Sequence, residues 1–272
     1  MYMKDFEYNG ERLSDYNLTI CSFDGGNDTL AIGNDVSINK IKAPDSYKYM
    51  SVGSSYTDAF TTTFQVCKFS CDDSVEMLIG EDELNAIVRW LNRKGFYKFK
   101  PIYDDFSFGD VYYNATFNIQ LLKAGSNVVG LELTLNTDSP FGYMESKTYS
   151  SELSSESDVL SIFDHSDEIG HLYCDATIKC LGSGTLIIQN SLDTQNNVII
   201  KNCVSGETIN LYGELKIIES DKEHKTLYND FNYKFVRICN TYKNNKNKIT
   251  SSLPCEITIT YSPIRKVGII VW

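Results

Sequence analysis

Long apolar runs, basic clusters, closely spaced cysteines and histidines are all scarce in this 272-residue chain. Its uncharged apolar runs extend only a few residues, far short of the ~20 that a membrane-spanning helix needs. The start, Met1-Tyr2-Met3-Lys4-Asp5, lacks the apolar centre of a secretory signal, so folding is expected in the cytoplasm that makes the chain. There are 3 histidines, at 165, 171 and 224, all in polar, loop-like surroundings. No Gly-x-Ser-x-Gly elbow accompanies them, and no serine–histidine–acid arrangement is readable. Carboxylates are plentiful, but nothing singles out two of them as a glycosidase pair.

Lysine and arginine total 25 against 36 aspartates and glutamates, for a net charge of −11. Residues 1–142 carry 12 − 20 = −8 of it and residues 143–272 carry 13 − 16 = −3. A chain without a basic cluster is poorly suited to gripping phosphates. The acids serve solubility, or they form a surface that nucleic acid passes without sticking. The 8 cysteines, at 21, 67, 71, 174, 180, 203, 239 and 255, form no tight pairs. Cys67, Cys174, Cys180 and Cys255 fall in strand-like runs and are expected as buried free thiols. Cys67-x3-Cys71 has no second cysteine or histidine pair at zinc-ligand spacing.

What is present is β pattern interrupted by one helix. Leu84, Ile87, Val88 and Leu91 recur at i, i+3, i+4 and i+7, which predicts an amphipathic helix from about Glu81 to Lys94. Glu81, Asp82 and Glu83 suit its positive end, Arg93 and Lys94 its negative end, and Gly95 its stop. Around it, Val111 to Leu121 and Val129 to Leu135 alternate with the period of half-buried strands, joined by a hairpin loop at Lys123–Asn127. Phe60, Phe64 and Val66 give a third strand and Leu18-Thr19-Ile20 a fourth. Between Asp24 and Ala59 the pattern weakens, yet Tyr47, Tyr49 and Tyr56 argue against simple disorder. An arm ordered by a neighbouring subunit explains both features.

A seam follows Asp138-Ser139-Pro140-Phe141-Gly142, where residues 146–158 turn rich in serine and glutamate, which suits a linker or an exposed edge. The expected division is a domain at 1–145, a linker at 146–158 and a second domain at 159–272. In the second half, alternation at Cys174–Cys180 is followed by short strands at Thr185–Ile188, Val198–Ile200, Thr208–Leu211, Leu215–Ile218, Lys234–Ile238 and Cys255–Tyr261. That spacing suits a β-sandwich or jelly roll. No internal repeat is visible.

Arg89-Trp90-Leu91, Phe96-Tyr97-Lys98-Phe99 and the run Leu133-Thr134-Leu135-Asn136-Thr137-Asp138-Ser139-Pro140-Phe141-Gly142-Tyr143 resemble the N-terminal domain of phage distal tail proteins. So do Phe6-Glu7-Tyr8-Asn9-Gly10 and Cys21-Ser22-Phe23-Asp24-Gly25. Gly206-Glu207-Thr208-Ile209, Asp230-Phe231-Asn232 and Tyr261-Ser262-Pro263-Ile264-Arg265-Lys266 resemble the same family's C-terminal sandwich. The resemblance implies a mainly β protein: an N-terminal sandwich or split-barrel-like domain covered by one helix, then a galectin-like jelly-roll sandwich. It implies a homo-hexameric ring at the tail tip of a siphophage infecting Gram-positive hosts. The ring joins the tail tube protein to the tail-associated hub protein. A receptor-binding protein or cell-surface carbohydrate is a further partner at its periphery, and DNA passes through the pore.

Individual residues carry competing readings. Trp90 is an interface anchor or, preferably, packs its helix onto its own sheet. Arg89 and Arg93 bridge to another subunit or form a solvated face. Leu181-Gly182-Ser183-Gly184-Thr185 lacks the Lys-Ser/Thr sequel of a phosphate loop and opens a strand, so it reads as a turn. Asp164-His165-Ser166-Asp167-Glu168 lacks the glycine and spacing of a cation loop and reads as a solvated turn. Asp72-Asp73 and Asp104-Asp105 are candidates for an acidic pore lining, against a basic lining by Lys40, Lys42, Lys48, Lys98 and Lys100. Tyr212, Tyr228, Tyr233 and Tyr242 would serve the rival reading of a carbohydrate-binding module, and a tail-associated hydrolase is the second rival. The preferred reading is a structural assembly protein, not an enzyme, with no catalytic, cofactor-binding or metal residue assigned and no cofactor.

Overall fold

The structure is a computed structural model that describes residues 3–23, 35–56, 59–68, 77–103, 110–155, 157–222, 224–241, 243 and 245–266. Cys71, Asp72-Asp73, Asp104-Asp105, Tyr242 and residues 24–34 of the arm lie outside the described residues. The chain divides into two units, residues 1–144 with 265–272, and residues 145–264.

The first unit is built on one antiparallel sheet. Its strands are β1 (Met3–Tyr8), β2 (Glu11–Arg12), β3 (Leu18–Cys21), β6 (Thr61–Lys68), β7 (Tyr97–Tyr103), β8 (Val111–Ala124) and β9 (Asn127–Thr137), with β4 (Val36–Lys42) and β5 (Tyr49–Tyr56) forming a separate pair. The order across the sheet is β2-β1-β7-β8-β9-β6-β3, and a short β10 (Gly142–Met144) also pairs with β8. Alternation decides the faces as expected. Tyr113, Ala115, Phe117, Leu131, Leu133 and Leu135 are buried, while their odd-out neighbours meet solvent. The β8–β9 turn is tighter than the predicted loop, because Ala124 pairs with Asn127 and Gly125 adopts φ +65°.

Helix α1 (Glu81–Leu91) covers this core. It ends three residues before the predicted Lys94, at the Asn92 cap, where the chain turns toward Gly95 with φ +102°. Glu83 accepts the Gly80 N–H at 2.8 Å and pairs with Lys68 at 2.7 Å, fixing the first turn. The buried stripe is Ile87, Trp90 and Leu91, with Leu84 partly buried. Val88, placed on the stripe by periodicity, is 39% exposed. The larger indole claims the sheet-facing position and rotates the stripe toward itself. Trp90 donates its indole N–H to the Tyr8 carbonyl at 3.0 Å and stacks on Tyr16 at 4.5 Å and Phe6 at 5.7 Å. Phe6 also meets Phe64, Phe99 and Phe117, which makes an aromatic core between helix and sheet.

The second unit is a sandwich. One sheet has the order β11 (Lys147–Leu153), β21 (Cys255–Tyr261), β14 (Asp175–Cys180), β17 (Thr208–Tyr212), β18 (Ile217–Ser220). The other runs β12 (Leu160–Ile162), β20 (Asn247–Ser251), β15 (Gly184–Asn190), β16 (Val198–Cys203). A two-stranded piece, β13 (Gly170–Tyr173) with β19 (Arg237–Asn240), completes it, and α2 (Leu227–Asp230) is a single turn. Ile162, Ala176, Ile178, Leu186, Ile188, Ile200, Ile209, Leu211, Ile257 and Ile259 form one core between the sheets.

Two expectations change here. Residues 147–153, placed in the linker although an exposed edge also suited them, are the edge strand β11, paired with β21 from Lys147↔Tyr261 to Leu153↔Cys255. Their hydroxyls are a strand feature. Thr148 meets Thr260 at 3.0 Å and Ser150 meets Thr258 at 2.8 Å across the ladder, while Leu153 is buried. Residues 265 and 266 group with the first unit rather than the second. The whole is mainly β with one substantial helix, as read from the sequence.

Candidate assembly surface

Among the described residues of the first unit, those of β4 and β5 hold the least covered apolar surface. Strands β4 and β5 pair only with each other among the described residues, from Val36↔Tyr56 to Lys42↔Tyr49. A register shift beside Asn39/Lys40 leaves Val52 as the extra residue of a bulge. Val36, Ile38, Ile41, Tyr49, Met50 and Val52 are each about half exposed or more, and Tyr47 near the tip is 98% exposed. The tip is a tight turn, in which Ser46 N–H reaches the Ala43 carbonyl at 3.2 Å and Asp45 takes φ +60°. An isolated two-stranded ribbon is marginal in water, and its two open edges and apolar side chains are ready to pair with another chain. Its charge is opposite to that of its surroundings. Residues 36–56 hold Lys40, Lys42 and Lys48 against Asp45, for +2, while the rest of 1–142 carries 9 − 19 = −10. The ribbon base is held by Tyr56, whose ring meets Phe141 edge-on at 4.8 Å and Lys266 at 6.0 Å.

The remaining candidates sort themselves by contact. Trp90 packs on its own sheet, as preferred. Arg93 reaches Glu11 at 3.6 Å and lies over Tyr97, and Arg89 is exposed on the outer face of α1. Lys100 is paired with Asp110 at 2.7 Å, and Lys98 lies over Tyr112 at 4.3 Å. Leu181–Thr185 is the β14–β15 connection, as read: its Leu181 N–H donates to Pro254 and its Ser183 hydroxyl accepts from Ser205. Asp164–Glu168 is not the solvated turn that was expected. Asp164 and Ser166 are buried, and Ser166 N–H and Oγ both donate to Asp164 while its Oγ also accepts from Ile264 N–H. Tyr212 sits on β17, whereas Tyr228 and Tyr233 flank the segment that bridges to β16 of the opposite sheet, so the tyrosines form no single platform. Cys174, Cys180 and Cys255 are buried free thiols; Cys67 is only half-buried.

One cluster joins Glu207 and Asp230, quoted above only within family motifs, through His224, and no role for them was read from the sequence. Glu207 is fully buried, and its carboxylate accepts from Val204 N–H at 3.0 Å and Ser220 Oγ at 2.7 Å. His224 places Nδ1 2.8 Å from Glu207 and Nε2 3.1 Å from Asp230. Burial pushes the Glu207 carboxyl up, but its donors outweigh burial and hold it below its ordinary value. Burial likewise pulls His224 down, and the two carboxylates outweigh it and raise the imidazole above its ordinary value. With a carboxylate on each ring nitrogen, the imidazolium has no lone pair to act as a base. The arrangement is an ion network that pins the 224–230 turn, and it lacks the layout of a catalytic triad. The three histidines are thus not alike: His171 lies on β13, His224 is buried, and only His165 is exposed in a loop.

Residues 1–139 match a family described as phage tail protein N-terminal domain, and residues 141–261 match its counterpart, phage tail C-terminal domain. The chain belongs to this phage tail protein family. No curated protein matches it. Among solved structures it is similar to the Dit protein (gp 19.1) of phage SPP1, described as a paradigm of hub adsorption apparatus in Gram-positive infecting phages. The TM-score is 0.65 at 9% identity, over 95% of this chain and 98% of that one. At that identity the likeness is one of fold, and it spans both units of this tail protein. Its role is structural, in the phage tail.

Proposed function

We propose that this tail protein forms a homo-hexameric ring at the tail tip, joining the tail tube protein to the tail-associated hub protein, with the β4–β5 ribbon as the clasp between subunits. The observation that carries the reading is the ribbon itself: an apolar, positively charged arm on a net-negative unit, within a fold shared end to end with a distal tail protein. Identical heterologous contacts repeated about an axis close a ring with a central pore. The pore is net negative, so that DNA crosses it without being held. Receptor-binding protein or cell-surface carbohydrate attaches outside the ring, through the second unit. The work is binding rather than catalysis. The virion tail tip is where it acts, after assembly in the host cytoplasm.

The test replaces residues 36–56 with a short Gly-Ser connection and measures mass by light scattering and ring formation by negative-stain imaging. The parent is expected to give rings and the variant soluble single subunits with unchanged unfolding of both units. Rings from the variant would overturn the ribbon as clasp. A monomeric parent that binds glycans would overturn the ring.

A further inference from the structure

In the second unit, His171 of β13 stands directly opposite Cys239 of β19. Directly opposed residues of an antiparallel pair project from the same face. Asp193 comes to the same place from the turn after β15, where its N–H binds the Asn190 carbonyl at 2.9 Å and its own carbonyl accepts from Asn196 at 3.0 Å. One ligand atom from each of the three lies within 4.8 Å of the others, the only such histidine, cysteine and carboxylate grouping among the described residues. His171 Nε2 is 3.8 Å from Asp193 Oδ1. Asp193 and Cys239 are buried, at 7% and 4% exposure, and His171 sits at the rim.

We propose that His171, Asp193 and Cys239 form a binding site for a zinc-type divalent cation, with the fourth position open to solvent beside His171. Tetrahedral ligands about 2.0–2.3 Å from a zinc ion stand roughly 3.3–3.8 Å apart, so side-chain movements of an ångström or less close the site. The mix of nitrogen, oxygen and sulfur donors suits zinc and disfavours calcium and magnesium, which take oxygen. The surroundings serve as the outer support such sites need. Arg237 forks the Asp193 carboxylate, Nε to Oδ2 at 2.7 Å and Nη2 to Oδ1 at 2.8 Å, and fixes its orientation. The Asn190 amide, which donates to the Arg237 carbonyl and to Asn247 Oδ1 at 2.8 Å each, ties the end of β15 to β19 and β20 beside Cys239. A divalent ion with one thiolate, Asp193 and Arg237 leaves a single positive charge at the site. A cysteine thiol binds zinc as its thiolate. Binding therefore displaces one proton from sulfur to solvent as the sulfur–metal bond forms.

The experiment uses the full chain, reduced and stripped with chelator, titrated with cobalt(II) and then zinc. One equivalent of cobalt is expected to give a thiolate-to-metal charge-transfer absorption that zinc removes, with about one proton released per ion in weak buffer. Cys239→Ala should abolish the absorption. His171→Ala, at the exposed rim, should keep the parent unfolding temperature and weaken binding by about tenfold or more. No charge-transfer absorption, an absorption that survives Cys239→Ala, or an unchanged affinity in His171→Ala would each overturn the site. Should Cys239→Ala fail to fold, His171→Ala decides the matter alone.

Discussion

Replacing His224 by alanine leaves the Glu207 carboxylate buried at 0% exposure with its charged partner gone. Val204 N–H and Ser220 Oγ still serve it, but neither carries a charge. Removing one partner from a buried ion pair costs about 3–5 kcal/mol, because the remaining charge has lost its compensation. For a unit of this size, each kcal/mol is about 3–4 °C, so the second unit should melt roughly 9–20 °C lower. The pH dependence separates this from a packing defect. His224 is raised, so its contribution is whole below its ordinary 6.5 and is lost as pH rises through its elevated native value. Glu207 is lowered, so its contribution is present above its ordinary 4.5 and is lost as pH falls through its depressed native value. The parent should therefore be most stable between those limits and weaken on the alkaline side. His224→Ala should lose that alkaline decline. Calorimetry of the full chain across pH 5 to 9 reads both effects, with the transition of the first unit as an internal reference. A shift under about 2 °C, or a variant with the parental alkaline decline, would refute the network as a stabilising device.

Two other outcomes follow from the fold. A fragment of residues 145–264 should melt cooperatively as a β-rich monomer, whereas 156–264, which lacks β11, should expose the β21 edge and aggregate; equal behaviour of the two by calorimetry and light scattering would remove β11 from the sandwich. Gly130→Ala should destabilise the first unit by about 1–3 kcal/mol in denaturant unfolding, because a Cβ there would sit 2.7 Å from the Val66 carbonyl and 2.9 Å from the Phe23 ring.

Periodicity revealed those elements whose two faces differ in polarity. Strands β8, β9, β14 and β21 each bury one face and wet the other, so their alternation is legible. Strand β11 was legible only as a linker or an exposed edge, because the hydroxyls of Thr148 and Ser150 on its outward face read in one dimension like a serine-rich linker. The β4–β5 ribbon was unreadable as strand because neither of its faces is buried among the described residues, so no alternation marks it. The value of Trp90 as a core residue was anticipated, but not that it would displace Val88 from the stripe. That outcome depends on the space beside Tyr8 and Tyr16, which belong to distant sequence. The Glu207–His224–Asp230 network joins residues by tertiary turns, and no spacing rule announces it. Assembly chemistry was visible mainly as an absence of catalytic patterns together with an ordered set of family motifs.

The second unit leaves the first at residue 145 and returns at 264, and Ser146 and Ser262 face each other at 3.0 Å. Its ends are therefore neighbouring strands of one sheet, which makes it an insertion and sets an order of events during synthesis. A ribosome finishes the strands of the first unit long before Lys266, a ring partner of Tyr56 at the ribbon base, is made. Bringing residues 144 and 265 together across 120 intervening residues costs loop-closure entropy of about 4 kcal/mol, which the folded sandwich removes by holding its own ends side by side. The folded sandwich thus spares the first unit most of the entropic cost of gathering a segment made last in synthesis, Arg265 and Lys266, to a sheet whose other strands precede residue 145.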